Sequence, residues 1–153
     1  MTTYAEHFHV SPFGKTITRD EVAETLGFLD DWEARYRYVI ELGQQLPPMP
    51  EALKTQANIV RGCQSPVWLA VLQDGENIYY LIDSDAHIVR GLAAMVLSAY
   101  NGCSALEIQH FDIEAWFDSL DLVNHLSPTR GNGLRAMVQR MVEAAAEQPG
   151  ESE

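Results

Sequence analysis

The chain has 153 residues, 46% of them hydrophobic and 21% charged, which suits one domain with a real core and excludes a disordered chain. Its formal net charge of −12 argues against a duplex-binding protein, which neutralises phosphates with clustered Lys and Arg, and equally against an anionic membrane surface. Neither nucleic acid nor membrane is therefore expected as a partner.

Met1 to Val10 is acidic and His-containing, without the basic flank and apolar core of a secretory signal. No run approaches the roughly 18 apolar residues of a membrane span. The expected location is the cytoplasm. Residues 1–17, with His7, His9 and the Ser11-Pro12-Phe13-Gly14 turn, read as a loose N-terminal arm, 18–147 as a single domain and 148–153 as a flexible tail. Thr18, with Glu21 three residues on, forms a capping box for a first helix. A second helix starts at Asp30 and carries Trp32, Tyr36, Val39 and Ile40 on one face. Leu46-Pro47-Pro48-Met49-Pro50 stops it, since proline has no N–H to donate. Glu51 to Lys54 make one more short turn.

The pattern then changes. Ala57 to Arg61 fits a short strand, Gly62-Cys63-Gln64-Ser65-Pro66 a turn-rich break, and Val67 to Gln73 a second strand. Asp74-Gly75 signals a hairpin, with Ile78 to Ile82 as the returning strand. Asp83-Ser84-Asp85 reads as the cap of a long helix with Ile88, Leu92, Met95, Val96 and Ala99 buried, closed by Asn101-Gly102. Ser104 and Glu107 form another capping box. Ile113 to Leu126 holds short helical pieces. Ser127-Pro128 opens a last helix with Leu134, Met137, Val138, Met141, Val142 and Ala145 on one face. Helices, then strands, then helices predict an α+β fold: a small three-stranded antiparallel sheet packed against N- and C-terminal helices.

Two cysteines make neither a disulfide framework nor a zinc site by themselves. Cys63 sits in a break between two expected strands, after a glycine that lets the backbone bend. Thiolate chemistry needs access and a lowered pKa, and nearby backbone N–H groups or Arg61 could supply the second. Spacing alone leaves two readings open, a working thiol and an inert core cysteine. Cys103, after Gly102 at a helix end, reads as a spectator rather than a resolving thiol. His7 and His9 read as part of a solvated tail before a weak metal site, and His125 as a hydrogen-bonding residue near a helix end. Asp83 and Asp85 are candidate carboxylates, though carboxylates at a helix N-terminus are also stabilised by its dipole. Trp68 and Trp116 read as core. The only lysines, Lys15 and Lys54, lack the setting of a Schiff-base lysine.

The run Val60-Arg61-Gly62-Cys63-Gln64-Ser65-Pro66-Val67-Trp68 resembles the signature loop of the SufE/CsdE family of sulfur acceptors. Asp83-Ser84-Asp85 with Ile88-Val89-Arg90-Gly91-Leu92 resembles the family's next segment. Trp116-Phe117 through Leu120, then His125-Leu126-Ser127-Pro128-Thr129-Arg130 and Gly133-Leu134, resembles its C-terminal one. Pro12-Phe13-Gly14, Trp32-Glu33, Tyr36-Arg37 and Leu42-Gly43 through Leu46-Pro47 look most like the CsdE branch, whereas Gln64-Ser65 leans toward SufE. The resemblance implies a SufE/IscU-like fold and a carrier function. In that function Cys63 takes a persulfide from a PLP-dependent cysteine desulfurase, SufS- or CsdA-like, and stimulates it. The sulfur then passes to an iron–sulfur scaffold or another acceptor. Gly62, Gln64 and Ser65 would support the thiol, and Arg130 and Asp85 would meet the partner. No cofactor would be held stably, PLP belonging to the partner and the persulfide being transient. Two other functions stand beside this one. A small thiol-dependent enzyme needs a base near Cys63, for which His87 is the nearest histidine in sequence. A scaffold for iron–sulfur assembly needs several ligands, usually thiolates.

Overall fold

The computed structural model describes residues 4–148. Its centre is a hairpin. β1 (Val67–Asp74) and β2 (Asn77–Ser84) pair antiparallel from Val67↔Ser84 to Asp74↔Asn77. Gly75 makes the turn at φ +65°, a conformation glycine adopts without steric cost. Because side chains alternate along a strand, Val67, Leu69, Ile78, Tyr80 and Ile82 face the main core, while Leu81 faces the opposite side.

The third strand is not the expected 57–61 segment. It is Cys103–Ser104, β3, which pairs with Asn77 and Ile78 and gives the order β1-β2-β3. Gln56–Asn58 closes a 3-10 turn instead, leaving one isolated bridge, Ile59↔Trp68, before Gly62 turns the chain away at φ +92°. The α+β class and the three-stranded antiparallel sheet hold, with one strand reassigned.

Among the described residues, seven α-helices accompany the sheet: α1 (Ala5–His9), α2 (Arg19–Phe28), α3 (Trp32–Gln44), α4 (His87–Tyr100), α5 (Ala105–His110), α6 (Ile113–Ser119) and α7 (Pro128–Ala146). α4 is the central one. Every residue from Gly91 to Tyr100 is buried, as expected of a helix covered on all sides. Gly43 of α3 meets Gly91 of α4 so closely that a Cβ on Gly43 would lie 2.6 Å from the Gly91 nitrogen. α7 crosses the other side, with Leu134, Met137 and Met141 in the core.

Local chemistry sets the helix ends. Asp31, one residue later than expected, caps α3 by accepting from Ala34 N at 2.8 Å. Ser104 and Glu107 complete a reciprocal capping box on α5. Ser127 accepts from Arg130 N, with Pro128 at the first turn of α7.

The segment read as a loose arm is anchored in the fold through Phe8, Ser11 and Phe13. Phe8 is buried with Met49 and Leu81 on the outer face of the sheet, and Phe13 is fully buried in the main core. Asn101 Nδ2 donates to the Phe13 carbonyl at 3.1 Å, and His9 meets Asp74 at 3.0 Å. Two apolar anchors on opposite sides of the sheet outweigh the polar look of the stretch. Residues 1–3 of the arm and 149–153 of the tail lie outside the described residues. Among the described residues no helix is long and apolar enough to cross a membrane.

Candidate functional site

Residues 61–66 form a loop pinned at both ends. Val60 N donates to Val67 O at 2.8 Å, and Ser84 Oγ donates to Pro66 O at 2.7 Å. Gly62 rests against α7, where a Cβ would come within 3.2 Å of Ala136 Cβ. The positive φ and this close approach together explain a glycine just before the cysteine.

Cys63 is half-buried, and its Sγ lies 3.6 Å from the Gly133 carbonyl of α7, a weak S–H···O contact. Beside the sulfur is a cavity of about 110 Å³ between the loop, the start of α4 and the first turns of α7. Gln64, Ser65 and Arg130 stand on its wall, and Ile88, Leu92 and Met137 contribute apolar surface. Burial pushes the Cys63 thiol up from the usual 9.0, because an ionised sulfur loses its hydration there. The expected lowered pKa is therefore absent in this conformation. Arg61 lines a neighbouring groove with Gln139, Arg140 and Glu143 and does not line the thiol cavity.

This geometry has a measurable pH signature. A raised pKa leaves less thiolate at neutral pH. Alkylation of Cys63 in the free protein is expected to run at least severalfold slower at pH 7 than that of a model thiol. It should keep climbing beyond the pH at which the reference thiol levels off. Peptide mass spectrometry of iodoacetamide-treated protein across pH 6–10 reads this. A plateau below pH 8 would contradict the raised pKa.

The structure gathers Cys63, Gln64, Ser65 and Arg130 around one cavity. Arg130 is exposed and makes no ion pair among the described residues. Asp85 is exposed next to the lining residue Ala86 but outside the cavity. The expected Asp83-Ser84-Asp85 helix cap does not form. Ala86 is the N-cap, without a side-chain cap bond, because Asp83 stays in β2. There its carboxylate takes Lys54 Nζ at 3.1 Å and Arg90 Nε at 3.2 Å.

Other candidates settle away from the thiol. Cys103 is half-buried at the far end of α4, with Sγ 3.6 Å from Ala99 O, and both cysteines are free. Burial raises its pKa as well. His125 bonds Asp121 at 3.2 Å and stacks on Trp32 at 3.9 Å between ring centroids. His87 is exposed and does not line the cavity, whose lining holds no His, Asp or Glu. A base for a thiol-dependent enzyme is thus not placed beside Cys63. Lys54 is held by Asp83 and Glu51, and Lys15 by the His9 carbonyl. Trp68 and Trp116 pack against the two apolar clusters. Among the described residues no group of three or more His, Cys, Asp or Glu could hold a metal ion.

Reading the sequence did not find Gly133 and Ser84 as site residues. It placed Ile88, Leu92, Leu134 and Met137 on buried helix faces. Helical spacing shows which residues point inward, but not that the inward faces of α4 and α7 meet beneath one loop.

Comparisons with known proteins agree with this architecture. The family described as SufE, Fe-S metabolism associated domain, matches residues 20–145. An uncharacterized SufE-like protein of Rhizobium meliloti is 48% identical over 126 residues, covering 80% of this chain and 90% of its own. An uncharacterized SufE-like protein of Rhizobium etli is 48% identical over 130 residues, covering 82% and 88%. Among solved structures, the solution structure of a hypothetical protein from Thermus thermophilus superposes with a TM-score of 0.69 at 20% identity, over 85% of this chain and 96% of that one. This last likeness shows the shared fold. With a family match across most of its length and relatives at nearly half identity, the chain belongs to the SufE family of Fe-S metabolism associated proteins.

Proposed function

We propose that this chain accepts sulfur as a persulfide on Cys63 from a PLP-dependent cysteine desulfurase, stimulates that enzyme, and passes the sulfur to iron–sulfur cluster assembly or another sulfur acceptor. The observation that carries the reading is one cysteine in a loop clamped at both ends, half-buried over a small cavity, in a SufE-family chain. Cys63 loses its proton, and the thiolate attacks the outer sulfur of the donor's persulfide. A new Sγ–S bond forms, the donor's S–S bond breaks, and the electron pair leaves with the donor's thiolate. Sulfur changes hands without any outside oxidant or reductant.

Burial opposes the ionised sulfur in the resting loop, so the donor must draw the loop open before attack. The thiol side chain is held by a weak contact to the Gly133 carbonyl and by packing against the edge of the core. Gln64 and Ser65 shape the loop around the sulfur, and Arg130 and Asp85 meet the partner. PLP stays with the desulfurase, and this chain holds no stable cofactor of its own. A reducing cytoplasm keeps such a thiol free.

The test is a mass measurement. The chain is mixed with a cysteine desulfurase of its own organism and L-cysteine, then weighed intact. A gain of about 32 Da, one sulfur atom, on the Cys63 peptide is expected from the exchange step. Cys63→Ser should gain nothing, and Cys103→Ser should load like the parent. Equal loading of Cys63→Ser would refute the assignment. An absorbing cluster formed on anaerobic iron and sulfide would favour the scaffold reading.

A further inference from the structure

A second concave face lies at the end of α4 far from the thiol. It is a groove of about 380 Å³ between Tyr100, the turn from α5 to α6, and α7. Phe111, Val138 and Val142 line it with half-buried apolar surface. Val138 and Val142 are four residues apart on α7 and so form one stripe. Leu106, 63% exposed, precedes the lining residues Gln109 and His110 on α5 by three and four positions. That spacing puts it on their face of the helix. An apolar stripe left open beside an exposed leucine marks a contact with another molecule more often than a bare surface does.

Two further observations describe that molecule. The first is charge. Residues 91–129 hold no Lys or Arg but five acidic residues, Glu107, Asp112, Glu114, Asp118 and Asp121. Asp112 and Glu114 line the groove, and neither Lys nor Arg does. The cations that reach this side are engaged. Arg19 lies over the Phe111 ring at 3.9 Å and bonds the Ala99 carbonyl. Arg135 meets Glu114 at 3.7 Å with both side chains half exposed, a pairing of little net worth. The second observation is Tyr100, which is 1% exposed and lines the groove. Tyr80 donates its hydroxyl to the Met141 carbonyl. The Tyr100 hydroxyl makes no hydrogen bond among the described residues, yet it is not sealed inside the core. It therefore offers a donor to whatever fills the groove.

We infer that this groove docks an amphipathic helix of a partner protein, with apolar side chains on the Val138–Val142 stripe and Lys or Arg against Asp112 and Glu114. The Tyr100 hydroxyl donates to an oxygen of that helix. Such a helix laid in a groove gains affinity from its apolar row and register from its charges. On α4 the thiol cavity reaches Leu92 and the groove begins at Tyr100, about 12 Å further along the helix. A partner held here leaves the Cys63 loop open. The chain can thus be gripped by one protein while its thiol meets another. The inference goes beyond the acceptor function and does not depend on it.

The probe is a fluorescent peptide of about 18 residues with Leu on one helical face and Lys on the other. A second peptide carries Glu in place of Lys. Anisotropy at about 150 mM salt should show saturable binding of the Lys peptide and at least tenfold weaker binding of the Glu peptide. Backbone amide shifts should centre on residues 106–114 and 138–142. Leu106→Asp combined with Glu114→Lys changes two exposed residues and should weaken the Lys peptide at least tenfold. Glu41→Lys reverses an exposed carboxylate that does not line the groove and should change it less than twofold. Tyr100→Phe keeps the ring and should weaken binding about threefold to tenfold, the worth of one hydrogen bond, with no loss in urea midpoint. Iodoacetamide should label Cys63 at the parent rate in saturating peptide. Protection of Cys63, shifts centred on its loop, or no saturation below 1 mM peptide would overturn the inference. So would Kd values within twofold of the parent for both the double variant and Tyr100→Phe. No readout uses sulfur loading, so such a failure leaves the acceptor function standing.

Discussion

Gly91→Ala is expected to destabilise the fold by about 3 kcal/mol, at the upper end of what overpacking a core costs, and to lower the melting temperature by roughly 6–12 °C for a domain of this size. The added methyl would sit 2.7 Å from Val39 Cγ1 and press on the Val39 carbonyl. On the other side of the same crossing, the Gly43 Cβ position is 2.6 Å from the Gly91 nitrogen. Backbone meets backbone here, so no rotamer change relieves the clash, and α3 must move off α4. Alanine's better helix propensity returns only about 1 kcal/mol. The same substitution at Gly27 has the opposite sign. That residue is exposed near the end of α2 with nothing within 4 Å of a Cβ, so Gly27→Ala should stabilise by up to about 1 kcal/mol. Urea midpoints of the two variants, compared with the parent, check both. Equal midpoints for Gly91→Ala and the parent would refute the close crossing.

Asn101→Ala is expected to cost about 2–4 kcal/mol, because it strands two buried backbone groups at about 1–3 kcal/mol each. Asn101 is 4% exposed. Its Oδ1 accepts from Tyr80 N at 2.8 Å and its Nδ2 donates to Phe13 O at 3.1 Å. One side chain thus joins the end of α4, the middle of β2 and the N-terminal segment. Asn101→Asp keeps the acceptor but loses the donor, and it buries a charge, so it should be no better than alanine at neutral pH. Urea unfolding of both variants gives the measurement. A loss below 1 kcal/mol for Asn101→Ala would mean that water replaces both bonds.

Much of this architecture could be read from local chemistry. The Asp74-Gly75 turn, the Ser104–Glu107 box and the Ser127-Pro128 start are each decided by residues within four positions of one another, and they appear as expected. Where distant partners decide, local reading fails. The 57–61 stretch has strand-like residues, but its one bridge to Trp68 does not extend, and the sheet instead takes Cys103 and Ser104 from beyond α4. Asp83 looks like a helix cap until Lys54 and Arg90 claim its carboxylate within the sheet. Phe8 and Phe13 looked like part of a tail because their burial depends on Met49, Leu81 and the α4 core. The candidate site follows the same rule. Cys63 and its loop are contiguous and could be singled out, whereas the wall from Ile88 to Met137 exists only after α4 and α7 pack.

The half-buried state of Cys63 also governs how the protein ages. Peroxide attacks thiolates first, giving a sulfenic acid that a neighbouring thiol can rescue and that otherwise advances to irreversible sulfinic acid. No such neighbour is at hand. Cys63 packs near Ile88 at the start of α4 and Cys103 near Ala99 at its end, on the order of 16 Å apart along the helix at 1.5 Å per residue. A damaged Cys63 therefore has no internal route back. Its protection is preventive, resting on a half-buried, protonated sulfur set against the Gly133 carbonyl. On the acceptor function proposed above, each opening of the loop for a partner would also expose the sulfur to damage.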